Sequence, residues 1–213
     1  LVPDSGPFWA ATIVSGLAAV VTFLFLRPDP LTISRMMDAN ERINTGREND
    51  EPARPLAQLL KVWHVRLGMA AMSIGQLVMV MIMVITPLHM HHSGHGTGSI
   101  SFVILAHQLG MYGLSWAAGG LIDRFGATKI IVGGAALLIS ASLMSPFVTS
   151  VAGLSIALFL LGLGWSFCFV AGSALLAVGL APSERTRVQG MSDTWSSAAA
   201  ALGSLSTGAL FAA

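Results

Sequence analysis

Four of the six histidines in this sequence, His89, His91, His92 and His95, fall within seven residues. Neutral imidazole is a good ligand for zinc, copper or nickel, so the cluster is a weak candidate metal site. Structural zinc asks for four ligands in tetrahedral order on rigid elements. A turn carrying Gly94 and Gly96 with no carboxylate beside it is better read as an exposed polar turn whose histidines follow the surrounding pH. His107 and Asp193 are of another kind, because each interrupts an apolar stretch and each can take up and release a proton. Gln76 offers two donors and an acceptor to a solute or to a neighbouring helix. Gln108, Tyr112, Ser115 and Gly119 recur at three-to-four-residue spacing and share a helix face, as a cavity wall or a packed seam. Trp165 and Ser166 stand in the middle of another apolar run, where an aromatic wall for a ligand and ordinary core packing are both open. The chain has no Walker sequence, no HExxH and no cysteine cluster. Cys168 is a lone small hydrophobe. No nucleophile–base pair can be assembled, so the chain is not read as an enzyme, and no cofactor is implied.

Those residues must be held by elements that suit a bilayer. The 213 residues are 54% hydrophobic and only 10% charged, with a mean hydropathy of +0.74. A water-facing domain carries about 25% charged residues. The hydrocarbon core is about 30 Å thick and takes about 20 apolar residues as a helix. Six stretches qualify: residues 8–26, 67–88, 99–122, 130–147, 151–180 and 188–213. They are continuously apolar rather than alternating, which points to helices and not to barrel strands. The expected fold class is therefore all-α, a polytopic transmembrane helical bundle.

The basic residues fix its orientation. Arg27, Arg35, Arg42, Arg47, Arg54, Lys61 and Arg66 lie between the first two spans or on their flank. Arg124 and Lys129 lie between the third and fourth spans, and Arg185 and Arg187 before the last. All eleven fall on one side, which the positive-inside rule makes cytoplasmic. Within residues 27–64, residues 31–43 have the pattern of a short amphipathic helix resting at the interface. The rest is charged and turn-rich, as in a tether. A net charge of +1 gives no footprint for nucleic acid. The expected partners are the lipid bilayer, a small-molecule solute and a coupling ion, and a monomer is compatible with the pattern.

Between the third and fourth spans stand Gly119, Leu121, Asp123, Arg124, Gly126 and Lys129, in the order G-x-L-x-D-R-x-G-x-x-K. Gly126 allows a tight bend there, and Asp123 is placed to accept hydrogen bonds from helix-start amides. This loop resembles the cytoplasmic signature of the major facilitator superfamily. Ala127 and Thr128 depart from it where the family often has basic residues, as in the second, degenerate copy of the motif. Glu184, Arg185, Thr186, Arg187, Val188, Gln189 and Gly190 also look like the family's entry into helix eleven.

The resemblance implies a frame for the whole chain. One span, then a long cytoplasmic loop, then the signature after the second span beyond it, corresponds to helices six to eleven of a probable twelve. On that frame residues 1–26 are the last helix of an N-terminal half, 27–64 the inter-half loop, and 65–213 the C-terminal half, so the chain is read as an internal piece of a longer protein. The implied function is secondary active transport of a small solute by alternating access, coupled to protons, in a bacterial inner membrane. Gln76, His107, Gln108, Tyr112, Trp165 and Ser166 become candidates for the solute path. His107 and Asp193 become candidates for proton coupling, and Asp123 a conformational latch gripping the opposite half. The alternative is a membrane sensor or scaffold that moves nothing and answers to metal or pH through its outer histidines.

Overall fold

The computed structural model describes residues 6–26, Thr32, Ile33, Met36 and residues 54–212. The regular elements described are all helices: α1 (Gly6–Phe25), α2 (Leu56–Leu59), α3 (Trp63–His92), α4 (Thr97–Gln108), α5 (Ser115–Phe125), α6 (Ala127–Met144), α7 (Val151–Ala177) and α8 (Pro182–Ala212). A π-helical segment, Leu109–Gly113, joins α4 to α5, and a 3-10 turn, Ser145–Phe147, follows α6. The chain divides into two compact units, Leu1–Pro52 and Ala53–Ala213. The first contains α1, twenty residues without a charge. Of residues 31–43, where the sequence predicts an amphipathic helix, only Thr32, Ile33 and Met36 are described, all helical. The others lie outside the described residues.

Among the described residues four helices are long and apolar enough to cross a membrane, α1, α3, α6 with its 3-10 turn, and α7; α4, the π segment and α5 together make a fifth, bent by 42°. This corrects the count of six. The stretch assigned to the sixth span is helical, but α8 starts at Pro182 rather than at 188, and its serines, threonines and charges keep it below the apolarity of the others. A helix of that composition is tolerated in a bundle where its polar side meets protein. The second span also runs further than expected. At about 1.5 Å per residue the thirty residues of α3 reach about 45 Å, beyond the hydrocarbon on at least one side.

The second unit is built around α7. Half of its apolar window is buried, against 22% in α3 and 28% in α6. It packs on α3, α4, the π segment, α5 and α6, while α8 lies mainly along α3. Without a water-driven force between helices in lipid, such contacts depend on close backbone approach at small residues. On α7 three glycines each serve a different neighbour. A Cβ on Gly162 would run into the carbonyl of His107 at the end of α4, and one on Gly110 into that of Phe159. Gly164 and Gly134 of α6 face each other, a Cβ on either lying 2.8–2.9 Å from the other's carbonyl oxygen. Gly172 and Gly68 of α3 do the same at 2.7–2.9 Å. Around these contacts lies one core of Leu138, Leu154, Leu158, Leu161 and Ala171, and a second, towards the basic end, of Leu59, Val65, Met72, Leu176, Leu180 and Val188.

Turns close the bundle. Gly126 has φ 85° between α5 and α6, the left-handed backbone that its place in the signature predicts. Ser150 caps α7, its hydroxyl accepting from Gly153 N at 3.2 Å.

Candidate functional site

Two polar contacts cross the middle of the bundle, and both involve α7. In the first, Trp165 Nε1 donates to Gln76 Oε1 at 2.7 Å, tying α7 to α3. Gln76 is the fourteenth residue of α3 and Trp165 the fifteenth of α7, so the bond lies near mid-helix in both. The Trp165 ring stacks on Phe169, one turn on, with centroids 4.9 Å apart and planes 20° from parallel. All three side chains are half-buried. The Gln76 amide keeps both N–H groups without a partner among the described residues.

In the second contact His107 Nδ1 meets the Leu158 carbonyl at 3.1 Å. A carbonyl only accepts, so Nδ1 carries the hydrogen and the ring is held in one tautomer. His107 is 2% exposed and sits at the Gly110–Gly162 crossing. It belongs to a packed seam.

From Trp165 the open face continues along α7. Trp165, Phe169, Ser173 and Ala177 are four residues apart and form one stripe. Ser173 Oγ lies 3.4 Å from Gln189 Oε1 on α8, and Gln189 Nε2 donates to Asp193 Oδ1 at 3.0 Å. Here α7 and α8 part to leave an open groove of 490 Å³, lined by Ser173, Leu176 and Ala177 from one side and by Arg185, Thr186, Gln189, Gly190 and Asp193 from the other. Asp193 is exposed on the groove wall. Because α8 begins at Pro182, Asp193 lies about three turns inside it. The helix dipole acts within the first turn, so it does not account for a carboxylate at that depth.

The other sequence candidates separate. Ser166 is buried at 2% exposure and faces the core rather than the stripe. Gln108 and Tyr112 are exposed, and Ser115 Oγ donates to the Tyr112 carbonyl at 2.8 Å. The face expected for Gln108, Tyr112, Ser115 and Gly119 is interrupted, because the π segment inserts a residue into the helical repeat between them. None of these residues lines the groove.

Asp123 makes no cap bond: α6 starts at Gly126 without a side-chain partner, and Asp123 is exposed with no hydrogen bond among the described residues. Arg124 folds back over the Phe125 ring, 5.3 Å from its centroid. Lys129 is exposed and Gly119 half-buried.

The histidine cluster is not a loop site. His89, His91 and His92 lie in the last turns of α3. His92 Nδ1 bonds the Leu88 carbonyl at 2.8 Å, and His95 Nε2 bonds the Thr149 carbonyl at 2.7 Å, fastening the α3–α4 turn to the α6–α7 link. The rings of His91 and His92 stand edge to face at 6.3 Å. Among the described residues no three His, Cys, Asp or Glu side chains converge as metal ligands. Helical geometry explains why: neighbours one and two residues apart do not face each other. The weak metal site of His89, His91, His92 and His95 is therefore not assembled.

Sequence reasoning missed one site altogether. Arg54, at the end of the long loop, grips Glu184 at the start of α8. Its backbone N and Nε donate to Oε1 at 3.0 and 2.9 Å, and Nη2 donates to Oε2 at 2.7 Å. Ala181 N adds a bond to Oε2 at 3.1 Å, and Arg187 Nη1 reaches the Arg54 carbonyl at 3.4 Å. These bonds hold the Glu184 carboxyl down to about 2, the Arg54 side-chain bonds being the largest cause. The one signal available was that Glu184 stands among Arg185 and Arg187, where a carboxylate needs a cation to settle beside.

Three comparisons bear on this geometry. Residues 5–204 match the family model described as Major Facilitator Superfamily. Two Bacillus subtilis proteins, each named Uncharacterized MFS-type transporter, YdeG and YddS, are 36% and 32% identical over 98% of this chain and 48% of their own length. A Brucella anthropi protein named Riboflavin transporter RfnT is 29% identical over 90% of this chain and 46% of its own. The chain thus spans about half the length of the curated relatives it matches. No solved structure gives a significant match.

Proposed function

The chain belongs to the major facilitator superfamily, and on that premise we propose that the protein it comes from is a secondary transporter of a small solute, working by alternating access and driven by protons. The carrying observation is the half-open stripe of α7, from the Gln76–Trp165 bond to the α7–α8 groove. A helix that is otherwise core keeps one polar and aromatic face unfilled, and polar groups at that depth are costly unless they meet protein or a water-filled path. In this reading α1 is the last helix of an N-terminal half, residues 27–64 the cytoplasmic inter-half loop, and 65–213 the C-terminal half, and the stripe faces the path between the halves. Asp193, on the groove wall, takes up the coupling proton. His107 is a weaker choice, its ring being sealed and committed to Leu158. Asp123, exposed and unbonded on this half, is the latch that grips the other half in one state.

One relative is named for riboflavin, which makes riboflavin the first solute to try. The full-length protein is placed in proteoliposomes with a pH-sensitive dye inside, and solutes are added one at a time with labelled flux followed in parallel. We expect labelled flux together with a solute-dependent change in lumenal pH, the pH change being lost in Asp193→Asn. Flux without any pH change removes the proton coupling. No flux of any solute across a panel of vitamins, sugars, amino acids and drugs discards transport.

A further inference from the structure

We propose that the solute is an uncharged planar aromatic compound with a hydrogen-bonding edge, stacked against the Trp165–Phe169 pair and held at its rim by Gln76. The proposal rests on the transport reading for its setting but stands on geometry of its own. Two aromatic rings on successive turns of α7 lie nearly parallel at 4.9 Å, an offset-stacked arrangement that a third flat ring can extend. Aromatic side chains that face lipid in this chain look different: Phe102 on α4 is 58% exposed and Trp116 on α5 is 80% exposed. Core residues differ in the other direction, with Leu158 and Leu161 fully buried. Trp165 and Phe169 are half-buried, between the two.

The amide at the rim sharpens the class. Gln76 uses its oxygen to orient the indole, which fixes the ring plane, and this leaves two N–H donors beside the platform. A bound molecule presenting carbonyl or ring-nitrogen acceptors at the edge of a flat ring satisfies them. A sugar offers no face to stack. A multiply charged anion lacks a cation here, since the one basic side chain along the open stripe, Arg185, lies at the groove end and donates its Nε to the Leu180 carbonyl at 2.9 Å.

Equilibrium dialysis of the purified full-length protein in detergent tests this without relying on flux. The probes are lumichrome and inosine, with sucrose and leucinamide as non-aromatic controls. We expect both aromatic probes to bind and both controls to fail. Trp165→Leu weakens lumichrome binding about tenfold or more, while Trp165→Phe keeps part of it. Gln76→Leu weakens both probes while leaving Trp165 in place. Phe102→Leu, a lipid-facing aromatic change of the same kind, leaves binding at the parent level and reports on folding. Equal binding of sucrose and lumichrome, binding unaffected by Trp165→Leu, or no aromatic binding up to millimolar concentration each overturns the proposal. The two readings fail separately. Flux of a non-aromatic solute that ignores Trp165 sinks the aromatic class and leaves transport. Trp165-dependent binding with no flux of any solute sinks transport and leaves the site.

Discussion

His107 and Trp165 stand at two crossings of the same helix, each with one polar hydrogen donated across an interface. The resemblance of their settings in the sequence ends in the fold. His107 gives its proton to a backbone carbonyl, in a seam that Gly110 and Gly162 close until no side chain fits between the helices. Trp165 gives its proton to another side chain, on a face that stays half open. A carbonyl partner is fixed by the helix and cannot be exchanged for a ligand. A glutamine amide can bind in two directions at once. The lesson is that a polar residue deep in a bundle is read by its acceptor and by the spacing of the backbones around it, more than by its own titration chemistry.

That contrast can be broken in several places. The largest effect is expected at the closed crossing itself. Gly162→Leu drives a side chain into the His107 carbonyl and the Met111 amide, 2.9 Å from the added Cβ, and overpacking of this kind costs about 1–3 kcal/mol or more. The variant should fail to accumulate as a folded species in size-exclusion chromatography. Gly133→Leu, on an α6 face with nothing within 4 Å, should elute like the parent.

A smaller effect separates the two donors. His107→Ala removes a buried ring and leaves the Leu158 carbonyl without that partner, and should cost about 2 kcal/mol, read as a fall in Tm. The pH profile of transport should keep its midpoint. A shifted midpoint would place His107 in the proton path and dissolve the distinction drawn above. Gln76→Ala should do the reverse, lowering Tm only slightly, by the equivalent of about 0.6 kcal/mol for an average interhelical bond, while solute affinity falls.

The smallest effect under ordinary conditions belongs to Arg54–Glu184, a polar contact outside the membrane and open to titration. The folded carboxyl sits at about 2, below its usual 4.5. A depressed carboxylate stabilises fully above its unfolded value and loses that contribution as pH falls through the folded one. Parent Tm should therefore show no contribution from this group between pH 6 and 8 and should fall between about 4.5 and 2. Glu184→Gln should start lower and lose that acid-dependent step. An identical acid limb in parent and variant would mean that Arg54 does not hold the carboxylate in solution.

What the residues disclosed in advance follows from how far apart the partners are in the chain. Spans, charge sorting and the Gly126 bend are local matters, set by runs of side chains and by one backbone angle, and α1, α3, α6 and α7 lie where hydropathy puts them. The exceptions were physical. The last helix starts at Pro182 because Glu184 finds Arg54, 130 positions earlier, and no local pattern shows such a partner. Without that start, Asp193 was placed too near the helix end. Gln76 and Trp165 were each singled out, but their bond spans 89 positions and only the fold joins them. Ser166 was misjudged because one step along a helix turns a residue by about 100°, from the stripe into the core.

The π segment at Leu109–Gly113 has a consequence for inheritance. A π turn holds one residue more than an α turn, so it acts as a phase adjuster in a long helix. Deleting any single residue there would let α4 run into α5 as ordinary α-helix and would turn everything beyond it by about 100°. Asp123 and Arg124 would keep their chain neighbours and their spacing, and would point elsewhere around the bundle. The bearing of the signature loop is thus set several turns upstream, at a crossing of two glycines. Change in length at that one place, rather than substitution in the loop, is the mutation to which the loop's aim is most sensitive.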